Sequence, residues 1–398
     1  MADLMPQKKK TLAEKKALLD KVAEKMNKKF GKTVIGRIGA TPEIAERLKV
    51  KYIPTACPDL NKAISGSTDG GFPRRRCTIV AGMPDSGKTS LVLESAGKMM
   101  AEDPDSVLLW MESENSLDQD YMCNTFGIDP ERLVFIPVDS SITAEDALDM
   151  LHATLGTGSV DMCCINSLKA LVPTQEMEAD LSNQVVAVQA RMNARITKKF
   201  NAIVAEHETA FIIITHLTTA IGGMLMKDPM IIAGGHSIQY WSSLTLDMRK
   251  RSIGPNDPIS KEDGVKIGVT IKKNHVCPTK FPYCKLDYYA IFGQGIELIL
   301  TALNQAIEKG ICQIKGAWIK QYDSEGNEVN KWNGQQKFRE YMIANPEEFK
   351  KLSEEVYGGI RLNDEEIEDI KDEENAIAAT IDPELKEALS NVDNKEVG

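Results

Sequence analysis

Gly82-Met83-Pro84-Asp85-Ser86-Gly87-Lys88-Thr89 is a complete G-x-x-x-x-G-K-S/T pattern. Its flanks fix the structure it belongs to. The apolar run 77–81 (CTIVA) enters the motif as a strand, and residues 90–100 (SLVLESAGKMM) leave it with helical periodicity, so the spacing predicts a strand, a glycine turn and a helix start. Glycines at both ends let backbone N–H groups curl around phosphate oxygens with no Cβ in the way. In that geometry Gly82, Met83, Pro84, Asp85, Ser86 and Gly87 line a nucleotide cradle, and Ser90 falls in the first helical turn. Lys88 is placed to reach the β- and γ-phosphates, Thr89 to ligate Mg²⁺, and the helix N-terminus adds positive potential.

With 398 residues, 42% of them apolar, the chain can bury a large core and divide into a main domain with smaller attachments. No apolar run approaches the ~20 residues of a membrane helix. The N-terminus (MADLMPQKKK) lacks the apolar stretch of a secretion signal, so a cytoplasmic location without a membrane partner is expected. The cysteines at positions 57, 77, 123, 163, 164, 277, 284 and 312 form no C-x-x-C pair, and several fall in strand-like apolar runs. That pattern suits reduced core thiols rather than zinc or disulfides.

The net charge of −10 is unevenly distributed. Residues 362–398 carry thirteen Asp/Glu against three Lys, whereas residues 1–37 carry ten Lys and one Arg against four acids. A basic head, a neutral body and an acidic, disordered tail follow, an asymmetry compatible with nucleic-acid binding and equally with a solvated basic helix.

Thr11 and Glu14 read as a capping box, and Leu19, Val22, Met26 and Phe30 fall on one face of the helix it opens. That stripe must be covered, either by its own domain or by another subunit. From about residue 50, strand-like runs at 106–111, 160–165, 211–215, 244–248, 265–272 and 286–292 alternate with helical stretches. The fold class is therefore α/β, a sheet with helices on both faces whose last strands are close enough to run antiparallel. A break near residue 295 leads into a small mixed segment with a helical stretch at 336–356.

Polar residues cluster where the strands end. Glu112 and Glu114 alternate after the second strand, hence on one face, and Glu114 is the candidate general base for positioning an attacking water. Asn166 ends the third strand, where an acid would ordinarily face the Mg²⁺ shell; an amide accepts from a metal-bound water but brings no charge. His216 ends the fourth, ahead of a glycine-rich segment, and reads either as a γ-phosphate sensor or as a satisfied structural histidine.

Together these stretches resemble the RecA family of DNA strand-exchange ATPases, from about residue 12 to residue 357. The resemblance rests on Phe30-Gly31-Lys32-Thr33-Val34-Ile35-Gly36-Arg37-Ile38-Gly39, Gly71-Phe72-Pro73-Arg74, Glu112-Ser113-Glu114-Asn115-Ser116-Leu117-Asp118 and residues 160–173. It continues through Ala190-Arg191-Met192, Gly234-Gly235, Lys273-Asn274, Phe292-Gly293-Gln294-Gly295-Ile296 and Gly316-Ala317-Trp318. It implies a RecA-like P-loop ATPase core with a central, mostly parallel twisted sheet, an N-terminal helix and a small C-terminal α+β domain. The implied divisions are 1–45, 46–298, 299–360 and a tail at 361–398.

By the same resemblance Glu114 is the catalytic glutamate, Tyr121 stacks on adenine and Asp118 contacts its amino group. Residues 176–183 match a first DNA loop and 217–235 a second. The DNA-facing positions implied are Glu176, Met177, Ala179, Ile221, Gly222, Met224, Gly234 and Gly235, with Ile221 as a wedge between bases. Arg191 and Lys198 match residues that contact the DNA backbone. Lys273 matches the first of two basic residues inserted at a neighbour's γ-phosphate, and the second position is His275. Asn166, His216 and His275 depart from the bacterial pattern and point to a phage or other distant relative.

The expected function is an ATP- and Mg²⁺-dependent recombinase. It would form a helical filament by self-association on single-stranded DNA and pair it with homologous duplex DNA, with a loader or single-strand-binding protein as a further partner. An ATP-binding filament with negligible turnover is the alternative. A ring helicase on the same fold is disfavoured by the paired loops.

Overall fold

A computed structural model describes residues 10–177, 188–219, 230–232, 235–254, 257–277, 285–323 and 325–357. The chain opens with α1 (Leu12–Phe30) and α2 (Pro42–Leu48). A two-strand ladder of β1 (Tyr52–Ile53) and β2 (Phe72–Pro73) follows, with α3 (Pro58–Ser65) between its strands. The alternating region comprises β3 (Cys77–Gly82), α4 (Lys88–Glu102), β4 (Leu108–Glu112), α5 (Gln119–Phe126), β5 (Leu133–Pro137), α6 (Ala144–Leu155) and β6 (Met162–Asn166). It continues through α7 (Thr174–Met177), α8 (Val188–Glu206), β7 (Ala210–Thr219), β8 (Met230–Ile232), α9 (Gly235–Trp241), β9 (Leu244–Arg251), β10 (Gly264–Asn274), β11 (Lys285–Ile291) and β12 (Gly295–Ile296). Last come α10 (Leu298–Glu308), the strands β13 (Cys312–Lys315), β14 (Trp318–Tyr322) and β15 (Glu328–Asn333), then α11 (Gly334–Ala344) and α12 (Pro346–Tyr357).

The main sheet has the order β12-β11-β10-β9-β3-β7-β6-β4-β5, with β8 paired to β7. From β9 to β5 all neighbours are parallel. From β9 to β12 they are antiparallel, as the short connections there allow. Strand periodicity sorts side chains into two cores. Val80, Trp110, Cys164 and Ile212 pack with α3, α4 and α5 on one face, while Ile79, Met111, Cys163 and Phe211 pack with α6 and α8 on the other. Because both faces are covered, these strands read as continuous apolar runs. Cys57, Cys77, Cys163, Cys164 and Cys312 are buried and in no disulfide, and Cys123 and Cys277 are half-buried; Cys284 lies outside the described residues.

Contacts divide the chain into two units, residues 1–341 and 342–398. In the first, β13, β14 and β15 form a separate antiparallel sheet. In the second, α12 buries Leu352 and Val356.

Several expectations are corrected. The helical stretch 336–356 is two helices, because Pro346 follows Asn345 and cannot continue α11. Residues 217–219 and 230–232, expected within a loop, form an antiparallel ribbon of β-branched and apolar residues. Edge strand β5 was not anticipated. The α1 capping box is present, with Thr11 accepting from Glu14 N and Glu14 accepting from Thr11 N, but no residue of α1 is buried.

Candidate functional site

The central strand β3 delivers the phosphate loop to the C-terminal edge of the parallel strands, between β7 and β9. Gly82 lies opposite His216 of β7 and Met248 of β9. The loop turns through Asp85 at φ 58° and Gly87 at φ 77°, both left-handed, and α4 starts at Lys88. At Gly87 any side chain would be strained, and its Cβ would lie 2.5 Å from Ile267 Cδ1. Ser86 Oγ and Lys88 Nζ both donate to the Met83 carbonyl at 2.8 Å, which folds the loop on itself. Burial lowers the Lys88 pKa, with Glu114 and Asp85 acting in the opposite direction.

Around the loop stands a network that the strand ends build. β4 and β6 are parallel with Glu112 opposite Asn166. Glu112, expected to share one face with Glu114, is buried at 3% exposure. The strand ends at Glu112, and Asn115 at φ 51° turns the chain, so Glu114 is exposed, close enough to the loop to feel the Lys88 charge. Glu114 Oε1 accepts from Ser167 Oγ and from His216 Nε2, the latter at 2.7 Å. A carboxylate can only accept here, so Nε2 carries the proton. Burial pushes Glu114 up, but the bonds from Ser167 and His216 and the Lys88 charge outweigh it and leave its pKa lowered. The Ser167 contact was missed; its signal was the residue following the strand-end amide.

Two features bear on Mg²⁺. Asn166 Oδ1 is fully buried without a hydrogen-bond partner, and Thr89 sits in the first turn of α4. Among the described residues no three His, Cys, Asp or Glu side chains form a cage. The residues present fit a magnesium ion: the Thr89 hydroxyl would hold it together with phosphate oxygens and waters, and the unpartnered Asn166 Oδ1 would be an acceptor for such a water.

Past Glu114, Asp118 caps α5 by accepting from Tyr121 N at 2.8 Å, and the half-exposed Tyr121 ring meets Phe126 edge-on at 5.1 Å. Lys273 and His275 are elsewhere. The register aligns Lys273 with Thr245 and Thr245 with Ile79, three residues short of Gly82, or about 10 Å of strand. Lys273 Nζ donates to the carbonyls of Gln239 and Tyr240 at the end of α9, and burial lowers its pKa. His275 is exposed beside it, and the Tyr240 side chain is 80% exposed.

Arg191 and Lys198 lie exposed on α8. Arg191 joins Arg195 and Lys199 along a groove of about 240 Å³ that also touches Glu145, Asp149 and Gln175. Glu176 and Met177 end the short α7, and Gly235 begins α9. Ala179, Ile221, Gly222, Met224, Gly234 and the acidic tail lie outside the described residues. Among the described residues no helix is long and apolar enough to cross a membrane.

A family model described as the RecA N-terminal domain matches residues 16–297. Similar proteins include Protein RecA of Thermus aquaticus, 29% identical over 342 residues that cover 86% of this chain and 94% of that one. Protein RecA of Aquifex aeolicus is 27% identical over 363 residues, 91% and 98% of the two chains. Protein RecA of Leifsonia xyli subsp. xyli is 29% identical over 332 residues, 83% and 86%. A match across well over half of the chain, on a sheet whose central strand ends in the phosphate loop, shows that this chain belongs to the RecA family.

Proposed function

We propose that this chain is an ATP-dependent recombinase that assembles as a helical filament on single-stranded DNA and promotes homologous pairing and strand exchange. The observation that carries the ATPase is the Glu114 carboxylate, held by Ser167 and His216 beside the phosphate loop. Backbone N–H groups of residues 82–89 receive the phosphates, and Lys88 exchanges the Met83 carbonyl for β/γ-oxygens. Glu114, kept ionised by its donors, orients a water and accepts its proton. Mg²⁺, when bound, neutralises charge on the phosphate oxygens. His216, rooted in the strand that leads toward the second DNA loop, links the state of Glu114 to DNA contact.

Lys273 and His275 lie too far along the sheet to serve their own loop, which supports action on a neighbour's phosphates. Residues 34–37 run back along α1: Asn27 accepts from Val34 N and Ile35 N, and Arg37 pairs with Asp20 at 2.8 Å. The exposed apolar side chains of this unit are the surface offered to the next subunit. Arg191 and Lys198 supply sequence-independent phosphate contacts.

The test is ATP hydrolysis across a titration of single-stranded DNA at fixed Mg²⁺. DNA should stimulate turnover, and Glu114→Gln should lower kcat by about 10²- to 10⁴-fold. Saturable DNA binding with turnover no faster than that variant's would establish instead a hydrolysis-poor, DNA-protecting filament, the reading that the neutral Asn166 favours.

A further inference from the structure

The amide of Asn166 is not free to choose its orientation. Asn166 Nδ2 donates to Glu112 Oε2 at 2.8 Å, so rotating the amide would set its oxygen against a carboxylate oxygen. This leaves Oδ1 buried, unpartnered and pointing away from Glu112. An acceptor left in that condition costs about 1–3 kcal/mol unless a donor reaches it. Glu112 is itself held from all sides. Trp110 Nε1 donates to the same Oε2 at 3.0 Å, while Oε1 accepts from Glu114 N at 2.9 Å and Ser116 Oγ at 3.4 Å. Every group in hydrogen-bond reach is a donor, so both carboxylate oxygens are used as acceptors. Among the described residues no Lys, Arg or His forms an ion pair with it.

We propose that Glu112 and Asn166 act as one unit. The Glu112 carboxylate supplies, one hydrogen bond back, the negative charge that an acid at position 166 would carry. It also fixes Asn166 Oδ1 as the acceptor for a water in the shell of the nucleotide-bound divalent cation. Glu112 is thus a positioning residue, acting on the cation through Asn166 and on Glu114 through its backbone N–H. The inference rests on the nucleotide-site reading above. It explains how a strand-end amide coexists with an otherwise complete phosphate loop: the charge has moved to the neighbouring strand, at the position that register places directly opposite.

The probe is Mn²⁺ binding at fixed ADP, followed by electron paramagnetic resonance on the full chain. It reads the site without turnover. Glu112→Gln should weaken Mn²⁺ about tenfold or more, the usual effect of removing a ligand's hydrogen-bond partner. Combining it with Asn166→Asp should restore affinity to within about threefold, because the charge is returned at the next position. Asn166→Asp alone should bring no gain, since it trades the Nδ2–H that Glu112 accepts from for an oxygen set against a carboxylate oxygen. Wild-type affinity in Glu112→Gln, or a double variant no tighter than Glu112→Gln, overturns the proposal. Should Glu112→Gln fail to fold in a thermal melt, Asn166→Asp decides: a tenfold gain overturns the proposal and no gain supports it. A wild type that binds no Mn²⁺ with ADP would instead defeat the nucleotide-site reading itself.

Discussion

At Glu114, opposing influences of similar kind leave a net result that one substitution can reverse. Burial favours the neutral acid, while the hydrogen bonds of Ser167 and His216 and the charge of Lys88 favour the carboxylate and prevail. His216→Ala removes one donor, so the Glu114 pKa should rise. The acidic limb of the ATPase pH–rate profile should then move to higher pH, and an unmoved limb would show that His216 does not control this carboxyl. Glu114, Asn166 and His216 were legible in sequence because polar residues there interrupt apolar runs, but only Asn166 ends its strand: β4 stops two residues before Glu114, and β7 continues past His216 to Thr219. The difference between Glu112 and Glu114 was not legible. Alternation places both on one face only while the chain stays extended, and the turn after Glu112, with Asn115 left-handed, depends on tertiary contacts.

The helix that follows the phosphate loop carries two constraints along its length. Gly97 of α4 faces the backbone of α5, where an added Cβ would overlap the Phe126 carbonyl oxygen. Gly97→Ala should therefore destabilise by roughly 1–3 kcal/mol in a denaturant melt, although alanine is the better helix former. Three residues earlier, Glu94 Oε1 accepts from Ile296 N at 2.8 Å, and burial pushes its pKa up to about 7. An acid with a raised folded pKa binds its proton more tightly when folded, so its contribution is lost as pH rises from about 4.5 to about 7. Above that window the ionised group costs on the order of 3 kcal/mol. Glu94→Gln should narrow the stability gap between pH 5 and pH 8, and equal pH dependence in both proteins would refute the assignment. Such pairings explain what sequence alone shows of the elements. The β/α alternation was readable because each buried strand is a continuous apolar run. Strand β5 was not, since Val134 and Phe135 remain substantially exposed on an edge bracketed by Pro130 and Pro137.

Across the whole molecule, the N-terminal helix stands out for what its own chain leaves uncovered. Leu19 and Val22 are 57% and 48% exposed, so Leu19→Asp with Val22→Asp should change the unfolding free energy by no more than about 0.5 kcal/mol. The same pair should reduce self-association in light scattering if the face docks on a neighbour. A lower melting point with unchanged particle size would locate its packing within the subunit instead. The cysteines noted in the fold offer another vantage. Burial raises the Cys57 thiol to about 12 and drives Cys163 and Cys164 well above their ordinary value. Thiolates are the reactive form, so these sulfurs stay silent toward alkylating reagents while the sheet is closed. Cys123 is only half-buried, on the helix that bears Tyr121. The protein thus carries an internal clock with two hands: modification at Cys123 reports the exposure of α5 itself, and modification at Cys163 and Cys164 records only the opening of the central sheet.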